Sequence, residues 1–329
     1  MRYAAYIGGL LGLVLLVTLV AQSDFSSMLH ALHSGGWRLL WLIPYRMVFF
    51  FLYALGWLIL IRPSDPSHRA GLGYLFWVTN VREAVDRLLP VASVGGGLVG
   101  TRLVCWRGIA VATVGASVIV EIVVTLIAVY LFTALGLIML LQIGTTGEGY
   151  RQLLPAFLWS LPVPVLTVLL LRNGSALTRL QQLVRPFQAT WLSAGSMAGH
   201  AVALDLQLRS SFSRIGRIAA AAALQFAALL SGSFEVWFAL RLFGHPVDGA
   251  TAVVLESMTQ AMRHLAFVVP AGLGVQEAGL VMFGHAMGVG SDLALAVSMS
   301  KRLREVLCGV PALLSWHWME TRRLTLRKG

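Results

Sequence analysis

Apolar runs of about 20 residues recur along the chain, the length an α-helix needs to cross a bilayer. Short polar connections rich in arginine separate them. The pattern predicts spans at about 3–21, 38–61, 108–142, 153–171, 218–243 and 293–318. Arg62-Pro63 ends the second span, because proline cannot continue a helix. Trp41 and Tyr45 suit interfacial anchors near one end of it. The third span is longer than one crossing needs, which predicts a tilt or a break near Gly115. Pro155, Pro162 and Pro164 predict kinks in the fourth.

Two segments, 71–106 and 251–287, do not fit a continuous lipid-exposed span. The first carries Arg82, Glu83, Asp86 and Arg87. The second is broken by Pro270, Gly272 and Gly274 and carries Arg263 and Glu277. Helix breakers and charges at membrane depth are tolerated where protein or a water-filled cavity surrounds them. Each segment therefore reads as two short helices joined by an unwound turn. The two segments also match each other. At the offset from Thr79 to Thr259, Asn80 meets Gln260, Pro90 meets Pro270, Gly97 meets Glu277 and Gly108 meets Gly288 without a gap. Pro90, Gly95 and Gly96 mark the first turn. Paired, Gly/Pro-interrupted apolar segments in two halves point to a transporter's binding site.

The fold class that follows is an all-α integral membrane protein. It has about six transmembrane helices and two re-entrant broken-helix hairpins in an inverted repeat. One membrane domain fills 1–329, with repeat 1 at about 38–142, an interfacial amphipathic segment at about 174–212 and repeat 2 at about 214–318. Composition agrees: 57% of residues are hydrophobic and 12% charged, against about 25% charged in soluble domains. The net charge of +11 does not point to nucleic acid, because the arginines cluster between apolar runs. There they would face anionic lipid headgroups and set orientation. Arg62 and Arg69, the stretch 172–217 and the C-terminal tail all favour the cytoplasm, and six spans satisfy all three. Three spans then separate the broken segments and invert one relative to the other. A seventh span at 189–206 would make the repeats parallel and put the tail outside, against its charge.

Glu121, Glu235, Glu256, Arg263, Glu277, Lys301, Arg302, Arg304 and Glu305 fall at or near membrane depth. Each costs about 2.5–3.5 kcal/mol at a helix centre on insertion scales, so they are expected to face inward and pair. Lys301 or Arg302 with Glu305 would share one helix face. Glu277 follows Gly274, where a half-helix should start and where the helix dipole favours an anion. It could cap its own helix, pair with Arg263 or carry a proton. The expectation is a cavity shared by Glu277 and Arg263, facing the first turn. Cys105 and Cys308 have no partner at metal spacing and read as small hydrophobes. No nucleophile elbow, phosphate loop or metal-ligand spacing appears, so neither an enzyme nor a cofactor or metal is expected.

Several of these residues also carry a resemblance. They are Pro90 to Gly96, Glu256-Ser257, Gln260, Arg263, Phe267 to Pro270, Gly272-Leu273-Gly274-Val275-Gln276-Glu277, Ser298, Arg302-Leu303-Arg304-Glu305, Pro311, Trp316 and Glu320. With them the chain resembles the lysylphosphatidylglycerol synthase transmembrane, or flippase-like, family, and within it the hopanoid-associated HpnL proteins. Gly97 departs from a usual Gly-Gly-Glu, and Ala271 from a usual Gly. The resemblance implies a lipid-handling protein of the inner membrane that moves hopanoids or their precursors between leaflets. The alternatives are a flippase for a charged phospholipid, such as an aminoacylated phosphatidylglycerol, and a non-transporting accessory protein of hopanoid synthesis. An anionic head would use Arg263, Arg302 and Arg304; a polyol head would lean on Gln260, Gln276 and Glu277. Longer relatives continue into a soluble aminoacyl-transferase domain. The chain ends at Gly329, so that activity is expected to be absent. The sequence leaves the oligomeric state open.

Overall fold

Inside a bilayer only a helix or a closed barrel satisfies every backbone N–H and C=O. A computed structural model describes residues 33, 35–89, 95–143, 153–172, 194–266, 269 and 272–326. Among them the regular structure is helical throughout. In chain order the helices are α1 (Leu42–Ile61), α2 (Leu72–Leu88), α3 (Gly95–Cys105), α4 (Val111–Ile143), α5 (Leu153–Ser160), α6 (Pro162–Arg172), α7 (Ala194–Phe212), α8 (Ile215–Leu242), α9 (Gly249–Leu265), α10 (Val275–Ala286) and α11 (Ser291–Leu326).

Among the described residues, three stretches are long and apolar enough to cross a membrane: Gly36–Ser64 around α1, Val111–Ile143 and Ile215–Leu242. They correspond to the second, third and fifth predicted spans. The expected break near Gly115 does not occur, and α4 runs unbroken for 33 residues. One glycine in a helix costs only about 1 kcal/mol, and no proline adds to it. The fourth span is bent as predicted: α5 and α6 meet at a turn on Leu161, with Pro162 opening the second helix. Helix α11 is longer than its predicted span, and Pro311 lies inside it. The predicted first span and residues 174–193 lie outside the described residues, as do Pro90 and Pro270. The rest of the predicted interfacial segment is α7. Its Leu208 and Phe212 are buried beside Val120, Val123 and Val124 of α4.

Both broken segments are helix pairs, α2–α3 and α9–α10. The starts of α4 at 111 and α11 at 291 keep the same 180-residue offset. Gly108 and Gly288, at that offset, both take left-handed φ, 76° and 73°. The packing is reciprocal too. Helix α2 packs on α11, α9 packs on α4, and α1 packs on α8. Trp77 of α2 donates to the Ser315 hydroxyl of α11 at 2.9 Å. At the matching place Ser257 of α9 presses on Gly136 of α4, where an added Cβ would lie 2.7 Å from the Ser257 Cβ.

Hydrophobic side chains point outward along the long helices: Phe51 on α1, Ile122, Leu131 and Ile138 on α4, Phe234 on α8 and Leu314 on α11. Several ionisable groups point inward, among them Arg46, Glu121, Glu235, Glu256 and Arg304, reversing the soluble pattern. Asp248 caps α9, its carboxylate accepting the Thr251 N–H at 2.8 Å. Hydrogen bonds from Thr251 hold that carboxyl below the usual range. Gly136→Val should force α4 and α9 apart and cost about 1–3 kcal/mol by overpacking. Thermal unfolding in detergent measures it, and Ser257→Gly should restore part of the loss.

Candidate functional site

The second turn is held open by its glycines. Gly272 and Gly274 both take positive φ, 60° and 73°, where a side chain is strained. A Cβ on Gly272 would also approach the Arg263 guanidinium at 3.2 Å. The Gly272 carbonyl instead accepts from Arg302 at 3.2 Å. Helix α10 starts at Val275 and places Gln276 and Glu277 in its first turn, fully buried.

From this turn a chain of polar groups crosses the molecule. Arg263 donates to the Gln276 side-chain oxygen at 3.1 Å, and Gln276 donates to Ser298 at 3.0 Å. The Ser298 hydroxyl donates to Glu277 Oε1 at 2.9 Å. The same oxygen pairs with Arg302 at 3.2 Å, and Arg302 reaches Glu305 at 3.2 Å. Glu305 meets Arg87 at 3.9 Å, Arg87 pairs with Glu83 at 2.9 Å, and Glu83 pairs with Arg46. The sequence is therefore α9, α10, α11, α2, α1. It joins both broken segments through the last helix.

Three further buried pairs flank the chain. Arg304 grips Glu235 with two nitrogens, at 2.7 and 3.3 Å. Lys301 pairs with Glu256, which also accepts from Gln260 at 2.9 Å. Arg82 pairs with Glu121 at 2.7 Å and lies over the Trp57 ring. Positions 121 and 301, matched by the repeat offset, each carry a charge paired to their own half's broken segment, with the signs reversed.

The expected inward pairing of the membrane charges is thus present, but two partners differ. Lys301 pairs with Glu256 rather than Glu305, because it points toward α9 while Arg302 turns toward Glu305. Arg263 bonds the neutral Gln276, and Glu277 takes Arg302, since the left-handed turn brings the Gly272 carbonyl and Arg302 together. The expected shared cavity would take in Pro90 and Pro270, which lie outside the described residues. Glu277 is 0% exposed, and among the described residues its Oε2 has no hydrogen-bond partner. A small cavity of about 10 Å³ lies further along the chain, lined by Asn80, Glu83, Arg87, Arg304 and Glu305 among others. That is room for about one water.

The matching start of α3 lacks a glutamate, since Gly97 takes its place. Asp86 of α2 supplies the acid instead, accepting the Gly96 N–H at 2.8 Å. This needs Gly96, because a Cβ there would overlap Asp86 and the Arg82 carbonyl. Gly95 lies in the same helix. Sequence reasoning noted Asp86 but gave it no role, and it passed over Arg46. The available signal for Arg46 was an arginine inside an apolar run. Among the described residues no group of His, Cys, Asp and Glu is arranged to hold a metal.

Long apolar helices, two helix pairs and a buried ion-pair chain suit an integral membrane protein. The chain matches, over residues 6–310, the family described as Lysylphosphatidylglycerol synthase TM region, and it belongs to that family. No curated protein and no solved structure matches it.

Proposed function

We propose that this chain is a multi-pass inner-membrane protein that moves a lipid between leaflets and carries out no covalent chemistry. One observation carries the reading: the polar chain from Arg263 to Arg46 ties both broken helix pairs together at membrane depth. Family membership supports lipid handling. The common offset of helix starts and the reciprocal packing support two repeats, inverted in the membrane as the arginine distribution requires. Rocking of the repeats would stretch the weakest link, the 3.9 Å contact between Arg87 and Glu305, and open the buried turn to one leaflet at a time. The lipid's polar head would enter at Arg263, Gln276 and Glu277 while its apolar body stays in the bilayer.

The motif residues quoted above favour a hopanoid or hopanoid precursor as cargo. A lipid with an anionic head is the second reading, and a charge imbalance favours it. Among the described residues, Arg46, Arg87, Arg302 and Arg263 of the polar chain face Glu83, Glu305 and Glu277, and the arginine bonded to a neutral partner is Arg263, at the turn. A leaflet-resolved assay in proteoliposomes tests both. Faster exchange of a hopanoid than of phosphatidylglycerol supports the first. The reverse order, with loss in Arg263→Gln, supports the second. Exchange no faster than in protein-free vesicles for either lipid refutes transport and leaves the accessory role.

A further inference from the structure

A groove of about 510 Å³ runs between the end of α3, the start of α4 and the last turns of α11, within the size range of ligand pockets. None of its lining residues belongs to the polar chain. One end is apolar and open: Leu98 is 70% exposed and Val111 59%. Cys105 and Trp106 also line it. The other end is charged, with Arg102 paired to Glu320 and the Arg323 guanidinium 4.9 Å from the Trp106 ring centre. Arg107 lies over Tyr74 and Arg322 over Trp318 close by in sequence. Four arginines thus lie in the groove or next in sequence to it, and tryptophan or tyrosine rings face three of them. Arginine with such rings marks headgroup depth, and arginine-rich ends face the cytoplasm. Val111 is the first residue of a helix apolar enough to span, so the apolar end of the groove continues onto a lipid-facing surface.

We propose that this groove seats one anionic phospholipid of the cytoplasmic leaflet. Its phosphate lies between Arg102 and Arg323, and the start of an acyl chain runs along Leu98 and Val111. A zwitterionic head would bring its own cation against the arginines. A water-soluble anion would leave Leu98 and Val111 uncovered. The site is separate from the turn at Arg263, so it stands or falls independently of transport.

Cys105 reports on occupancy. The chain has two cysteines, so Cys308→Ala leaves Cys105 as the single thiol. In detergent, short-chain phosphatidylglycerol should slow maleimide modification of Cys105, and phosphatidylcholine with the same chains should not. Arg102→Ala with Arg323→Ala should need at least about tenfold more phosphatidylglycerol for the same protection, as expected for two arginines at a lipid surface. The double lysine variant, R102K/R323K, keeps the charge and should retain most of it, which separates charge from folding. Equal protection by both lipids would show apolar filling alone and overturn the proposal. So would protection by glycerol phosphate without chains, which would mark a free-anion site. No protection by any lipid, or an alanine variant that behaves like its parent, would also overturn it.

Discussion

Arg304→Met should destabilise the protein by about 3–5 kcal/mol, because it removes one partner of a buried pair and leaves the other charge alone. Glu235 and Arg304 are 2% and 4% exposed at their side chains. Two guanidinium nitrogens reach the carboxylate, at 2.7 and 3.3 Å, the geometry in which arginine binds most strongly. No other cation pairs with Glu235 among the described residues. Methionine keeps most of the stem's packing, so the loss reports charge rather than volume. The double variant Arg304→Met with Glu235→Leu should recover most of the stability, since replacing a whole buried pair by apolar groups is often neutral. The measurement is thermal or denaturant unfolding in one detergent for all three proteins. A single variant that melts with wild type would show that the pair is solvated.

Much of this architecture was legible because a bilayer imposes lengths and polarity on sequence. Residues 218–243 had to be apolar for about 20 residues to cross, and α8 occupies Ile215–Leu242. The breaks were legible for the same reason. Gly272 and Gly274 have no use in a spanning helix, and both take left-handed φ in the turn. Pairing was less legible. That Glu277 must have a partner follows from desolvation cost. Which partner it takes depends on how α10 lies on α11, and spacing along one helix says nothing of that. The i, i+3 contact of Arg302 with Glu305 could be read from the sequence, whereas Lys301 with Glu256 spans two elements. Asp86 shows a third limit. A carboxylate at a half-helix start can come from the neighbouring helix, and only the close approach at Gly96 reveals it.

Glu277→Gln should slow lipid movement at least about tenfold, a barrier increase of about 1.4 kcal/mol, while costing little stability. Glutamine keeps the shape of the side chain and an oxygen at the Oε1 position, so the Ser298 hydroxyl can still donate to it. Its amide would take the place of Oε2, which has no hydrogen-bond partner among the described residues. What disappears is the negative charge. Arg302 then keeps Glu305 and the Gly272 carbonyl but loses the carboxylate on α10. The break in the polar chain falls at the turn, where α9, α10 and α11 meet. In the mechanism proposed here that carboxylate is what passes movement of the broken helix pair to α11, and through Glu305 to Arg87 of the other half. Neutralising it uncouples the halves without emptying the core. Leaflet-resolved exchange in proteoliposomes, read beside the melting temperature of the same preparations, separates the two roles. Slow exchange with a melting temperature near wild type is the expected pair of results. Exchange at the wild-type rate would make Glu277 a cap for its own helix and refute its part in transport.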